Sequence, residues 1–142
     1  MVITASGPTL PELLSLYGSV GWTSYTADPG MLERAVQQSS HVLCARSGTG
    51  ELIGLIRAVS DDVSICYIQD LLVRPEHHRQ GVGRALMVQL LDRYAHVMQR
   101  VLLTDNGEAQ HAFYSSLGFH DTRTLVQLPT TCFYQDTRHP LG

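Results

Sequence analysis

The chain is poor in cysteine, in charge and in long apolar runs, and each shortage excludes something. Its three cysteines, Cys44, Cys66 and Cys132, are odd in number, widely spaced and set in apolar stretches. That pattern argues against a disulfide framework or a zinc knuckle. Charged residues make up only 16% of the chain and the formal net charge is -3, so neither nucleic acid nor an anionic membrane is expected as a partner; a cationic one is mildly favoured. No stretch approaches the roughly 18 apolar residues of a membrane span. The opening "MVITASGPTLPELLSLYG" has neither the basic start nor the sustained apolar block of a signal peptide, and Val2 excludes myristoylation. A reducing, cytoplasmic setting is the expectation.

What is present describes a compact fold. At 142 residues, 44% of them hydrophobic, the chain is long enough to bury a core and is expected to form one domain over 1–142. Leu10, Leu13, Leu14 and Tyr17 recur at helical spacing, and "TADPGMLERAVQQSS" reads as a second helix started by Asp28 or the Pro29 turn. An aromatic-bearing loop, "GWTSYT", lies between them. "HVLCAR" and "LIGLIRAVS", joined by "SGTGE", form a hairpin signal, and "VSICYIQDLLV", ended by Pro75, reads as a central strand. Val82, Leu86, Leu90, Tyr94 and Val97 mark a long amphipathic helix, "RVLLT" a buried strand, and "DNGEAQHAFYSSLGF" a helix capped by Asp105 or Asn106 with Gly118 at its end. "TLVQL" and "TCFYQ" read as two closing strands, the latter an edge that a second copy of the chain would pair with. These elements predict a mixed α/β fold (α+β): a largely antiparallel sheet of about six to seven strands flanked by helices.

The segment "QDLLVRPEHHRQGVGRALMVQLL" joins strand, glycine turn and helix with no spare residues. A helix start carries unpartnered N–H groups and the positive end of the macrodipole, which suits a phosphate or pyrophosphate. Gly81 and Gly83 would let the backbone approach it closely, with Arg79 and Arg84 adding charge. A dinucleotide fingerprint needs a third glycine where Leu86 stands, and a P-loop needs Gly-Lys-Ser/Thr where Gly83-Arg84-Ala85 stands. Both fail.

The segment does resemble the acyl-CoA signature of the GNAT acyltransferase superfamily, Gln/Arg-x-x-Gly-x-Gly/Ala. It stands here as His78-Arg79-Gln80-Gly81-Val82-Gly83, after Leu71-Leu72-Val73-Arg74-Pro75-Glu76, with His78 in place of Gln or Arg. "AFYSSLGF", Ala112 to Phe119, resembles the family's downstream helix and turn, although Gly107 and Gln110 stand where Asn and Ala are common. The resemblance covers roughly residues 10 to 127. It implies an N-acetyltransferase that uses acetyl-CoA, without a metal, to acylate a small-molecule or peptide amine. The diphosphate would be held by residues 78–84, and the pantetheine arm would enter between the strand bearing "QDLLV" and the strand bearing "RVLLT", pairing with Leu71, Leu72 and Val73 by β-augmentation. The second hypothesis is a regulatory module that keeps the acyl-CoA cradle without catalysing transfer.

The implied chemistry is direct attack by a neutral amine and collapse of a tetrahedral intermediate, with an N–H of the acyl-binding strand polarising the thioester carbonyl. Tyr114 matches the family's helix tyrosine and would protonate the departing thiolate and touch the cofactor. Asp70 stands either as general base or as a structural group. Trp22 and Tyr25 form either the acceptor wall, with a cation cage for an ammonium, or a lid on the core. Cys44 and Cys66 invite an acyl-thiol intermediate, but apolar strand surroundings favour packing. His77 and His78 lack the companions of a metal site.

Overall fold

The computed structural model describes residues 1–139, which divide into two compact units, Met1–Leu103 and a second that begins at Thr104. The first unit is built on a five-stranded sheet in sequence order: β1 (Val2–Thr4), β2 (His41–Arg46), β3 (Leu52–Ser60), β4 (Ile65–Val73) and β5 (Gln99–Leu102). All neighbours are antiparallel except β4 and β5, which run parallel because α4 (Val82–Arg93) carries the chain back between them. The remaining helices of this unit, α1 (Leu10–Ser19), the short α2 (Thr23–Thr26) and α3 (Pro29–Gln37), lie between β1 and β2 in sequence.

Local chemistry sets the helix starts. Thr9 caps α1 in a reciprocal box: its hydroxyl accepts from the Glu12 N–H and the Glu12 carboxylate accepts from the Thr9 N–H at 2.9 Å. Asp28 caps α3 by accepting from the Met31 N–H, as the sequence indicated. Leu13, Leu16 and Tyr17 of α1 and Leu32 and Val36 of α3 join Cys44, Leu52, Leu55 and Leu72 in one buried cluster. α1 and α3 thereby give one side of the first unit's sheet its apolar cover.

The other face of β3 meets α4 at close range. A Cβ built on Gly54 would stand 3.0 Å from Val82 Cγ1, 3.1 Å from Leu86 Cδ1 and 3.3 Å from the Leu72 carbonyl oxygen. A methyl group here would force these neighbours to give by a few tenths of an ångström, so glycine is what lets the helix sit this near the strand without strain. Gly54 thereby fixes the height of the start of α4, where the glycine turn is.

The second unit contains α5 (Glu108–Ser116), which ends on Gly118 in the left-handed conformation at φ 89°. Its N-cap is Gly107, which offers no side-chain cap, and not Asp105 or Asn106.

Three further expectations are corrected. The six to seven strands are five, because "TLVQL" and "TCFYQ" form no strand among the described residues. Each run is short, Pro129 stands between them, and most of their apolar side chains are exposed, including Phe133 at 94% and Val126 at 81%. A short hairpin gains too little burial to hold itself in register, and the edge expected to pair with a second copy is therefore missing. Third, β5 is exposed, since it is the sheet's last strand.

Candidate active site

The glycine turn begins where β4 ends. Arg74 pins that end: its N–H donates to the Ile53 carbonyl, its Nε to the Leu52 carbonyl at 2.8 Å and its Nη2 to Ser15 Oγ at 2.8 Å. A single 3-10 turn, Pro75–His77, follows, and then Arg79 and Gly81 both take positive φ, 61° and 80°. Left-handed geometry strains Arg79 and suits Gly81. Gly81 is the N-cap of α4 and no side chain caps that helix start. Tight turns of this kind at a helix N-terminus direct N–H groups toward a common anion site. Val82 is buried and anchors the helix, while His78, Arg79, Gln80, Gly81 and Arg84 are exposed and Gly83 is half-buried.

The strand leading into this turn has an open side. β4 pairs with β5 only from Ile65 to Ile68, opposite Gln99 to Leu102, although β4 itself continues to Val73. Its pairing with β3 continues through Leu71, Leu72 and Val73, opposite Ile56, Leu55 and Gly54. Because the Arg74 N–H bonds to Ile53, Val73 and Gly54 form a non-hydrogen-bonded antiparallel pair. The N–H and C=O of Val73, and by alternation those of Leu71, therefore point away from β3, whereas those of Leu72 point toward it. Along the five residues Gln69 to Val73, β4 thus has no strand on the β5 side, and the outward donors and acceptors of Leu71 and Val73 are unused by the sheet.

Beneath this open half lies Asp70, 3% exposed, with Arg57 at 6%. Its Oδ2 accepts from Arg57 Nε at 2.6 Å and from the Tyr17 hydroxyl at 2.9 Å, and its Oδ1 accepts from the Tyr25 hydroxyl at 3.0 Å. Arg57 Nη2 also donates to the Tyr25 oxygen at 3.0 Å. Burial, reinforced by the Asp70 charge, pushes both tyrosine pKa values up. Burial alone would lower that of Arg57, but the Asp70 charge and hydrogen bond outweigh it and hold the guanidinium charged. The result is a charge-neutral cluster whose carboxylate has a donor on each oxygen, an arrangement suited to fixing β3, β4, α1 and α2 in register.

Tyr25 thus belongs to this cluster, and Trp22 packs on it and on Tyr17, with the Tyr17 ring 5.8 Å from Trp22 and 5.0 Å from Tyr25. Both residues are half-buried. Tyr17 was read from the sequence only as part of a helix stripe, and Arg57 was not singled out. The signal for Arg57 was there, a lone cation inside "LIGLIRAVS", since a charge buried in a strand requires a partner.

In the second unit Tyr114 is half-buried on α5, its ring edge-on to Phe113 at 5.0 Å and to Phe119 at 6.1 Å. Burial raises its pKa, and a hydrogen bond with Thr104 opposes that only in part, so the phenol keeps its proton at neutral pH. Cys44 and Cys66 are fully buried, and burial pushes the Cys44 thiol up to about 11 and that of Cys66 upward as well. Neither offers a thiolate. Among the described residues no cluster of three or more His, Cys, Asp or Glu side chains could hold a metal, and no helix is long and apolar enough to cross a membrane.

The description "Acetyltransferase (GNAT) family" matches residues 8–119. A GNAT-family acetyltransferase of Streptococcus pneumoniae TIGR4 is 34% identical, with a TM-score of 0.79 over 96% of this chain and 99% of its own. An aminoglycoside 6'-N-acetyltransferase solved with coenzyme A shares the fold at 18% identity, with a TM-score of 0.71 over 83% of this chain and 84% of its own. The GCN5-related N-acetyltransferase 2 of Arabidopsis thaliana is 34% identical over 99 residues, which are 62% of this chain and 36% of that protein. The chain spans less than half the length of the curated relatives it matches, 42% and 36% for two of them. A five-stranded, mostly antiparallel sheet with a glycine turn after its fourth strand, matched across most of the chain, places this protein in the GNAT family of acetyltransferases.

Proposed function

We propose that the protein transfers an acetyl group from acetyl-CoA to a primary amine, with residues 1–142 serving as one acyltransferase domain in the cytoplasm. The observation that carries this is the open side of β4 beyond Ile68, which leads through the single 3-10 turn Pro75–His77 into the left-handed turn at Gly81. In this reading the outward backbone groups of Leu71 and Val73 pair with the pantetheine amides, and Leu72 holds the strand to β3. The N–H groups around Gly81, Val82 and Gly83 take the diphosphate, with Arg79 and Arg84 at its edge and Gln80 shaping the turn.

Chemistry then needs little from side chains. The amine attacks the thioester carbonyl, the resulting oxyanion is stabilised by an N–H of β4, the attacking nitrogen gives up its extra proton to water, and the C–S bond breaks as sulfur takes a proton, a role assigned to Tyr114 from its place in "AFYSSLGF", with the phenol reprotonated from solvent. We assign Asp70 a positioning role, because a carboxylate already accepting three hydrogen bonds on two oxygens is poorly placed to accept a proton. The acceptor is therefore taken up as the neutral amine, and kcat/KM rises with pH up to the acceptor's own pKa. Trp22 and Tyr25 border the acceptor side.

The test is an acceptor screen with acetyl-CoA, reading released thiol, run beside Tyr114→Phe. The chain has no lysine, so no ε-amine of its own competes. Wild type should turn over at least one amine class, and Tyr114→Phe should lose about a hundredfold in kcat with KM for acetyl-CoA little changed. Full turnover by the variant when chemistry limits the rate refutes the acid role. Thermal stabilisation by coenzyme A with no thiol released from any amine refutes transfer.

A further inference from the structure

His78 occupies the first position of the turn signature, and its side chain reaches back to the strand. Its Nε2 lies 2.8 Å from the carbonyl oxygen of Val73. A carbonyl only accepts, so the ring is held with its proton on Nε2. This oxygen is one of the two outward carbonyls, with that of Leu71, at the open end of β4, because the Arg74 to Ile53 bond makes Val73 opposite Gly54 a non-hydrogen-bonded pair. Nothing in the β3–β4 ladder uses it.

We propose that His78 is a gate on the pantetheine slot: its imidazole satisfies the Val73 carbonyl in the free protein and must leave it when an incoming amide N–H takes its place. The inference rests on the coenzyme A reading of the site and adds its regulation. His78 is exposed, so the ring can swing into solvent without disturbing the core. It sits three residues before Gly81, directly before the left-handed Arg79, so release of the ring loosens the segment that must also meet the diphosphate. The gate thereby couples the two halves of the ligand: the slot opens as the turn is engaged. It also spares the free protein an unsatisfied carbonyl at an open sheet edge.

The test separates the halves. Calorimetry and stopped-flow binding are run with coenzyme A and with adenosine 3',5'-bisphosphate, which has the nucleotide end but no pantetheine, on wild type, His78→Ala and His78→Gln. Removing the imidazole should tighten coenzyme A about fivefold, the worth of one hydrogen bond broken on entry, and speed its association, while the bisphosphate binds as before. His78→Gln, whose amide can also donate to Val73, should stay near wild type. Unchanged coenzyme A affinity in His78→Ala overturns the gate, since the oxygen's two lone pairs are then shared. So does an equal change for both ligands, which would put His78 on the phosphates. Binding of neither ligand to any variant, all with unaltered melting temperatures, overturns the coenzyme A reading together with the gate that rests on it.

Discussion

The two halves of β4 carry the same kind of sequence and live in different surroundings. From Cys66 to Ile68 the strand has neighbours on both sides, β3 and β5. From Gln69 to Val73 it keeps β3 alone, yet this is the half with a buried carboxylate and, at its end, the glycine turn. An open strand edge is ordinarily blunted by charge, proline or a bulge. Here the register shifts near Arg57 and Ala58, opposite the start of the open half, and Pro75 follows two residues after its end. Between these stops the edge stays open while the faces above and below are locked. The contrast teaches that the open half is a slot held rigid from behind and not a frayed strand end.

If that is right, the largest effect comes from unlocking it. Asp70→Ala leaves the Arg57 guanidinium buried without its partner and the Tyr17 and Tyr25 hydroxyls without their acceptor. A loss of about 3–5 kcal/mol in urea unfolding is expected, with coenzyme A affinity falling as β4 loosens. A stability loss below 1 kcal/mol would mean that the cluster does not hold the slot. Gly54→Ala acts from the other face, driving a methyl group against Val82 and Leu86. It should cost about 1–3 kcal/mol and, by lifting the start of α4, weaken binding of adenosine 3',5'-bisphosphate. Weakening confined to stability would show that the height of the helix start does not matter to the anion site.

Val73→Pro sharpens the comparison most directly. The Val73 N–H points away from β3, so proline removes an outward donor and no ladder bond. Stability should change by about 0.5 kcal/mol or less, while coenzyme A binds about tenfold more weakly by calorimetry. Equal damage to both quantities would place that N–H within the sheet.

What the sequence disclosed follows from how far apart the cooperating residues lie. The turn and its helix were legible because Gly81, Gly83 and the stripe Val82, Leu86 and Leu90 act within a few residues of one another. Asp28 was legible as a cap for the same reason. The Arg57–Asp70 pair joins two strands, and its tyrosines come from α1 and α2, so only the fold assembles it; Asp70 alone was visible, with its role open. Gly54 could be read as a strand glycine, but not which helix presses on it. "TLVQL" and "TCFYQ" have strand composition, yet a strand exists only where a neighbour accepts it. β1 was missed for the converse reason: "VIT" is too short to signal, and the Arg46 to Cys44 stretch of β2 supplies its pairing.

The smallest effect belongs to the paired half of β4, where Cys66 serves as the control. It lies opposite Ser60 on one side and Arg100 on the other, fully buried, with its thiol pKa raised by burial. If acyl transfer passed through a cysteine, Cys66→Ala would abolish turnover. Direct attack predicts kcat/KM within about twofold of wild type and a stability loss of about 1 kcal/mol from the missing sulfur. Iodoacetamide gives the matching readout on the native protein: with Cys44 held up to about 11 and both strand thiols buried, only the exposed Cys132 should be alkylated at neutral pH. A second label that appears rapidly and tracks loss of activity would put a reactive thiolate in the sheet, and the distinction between a packed half and a working half of β4 would fail.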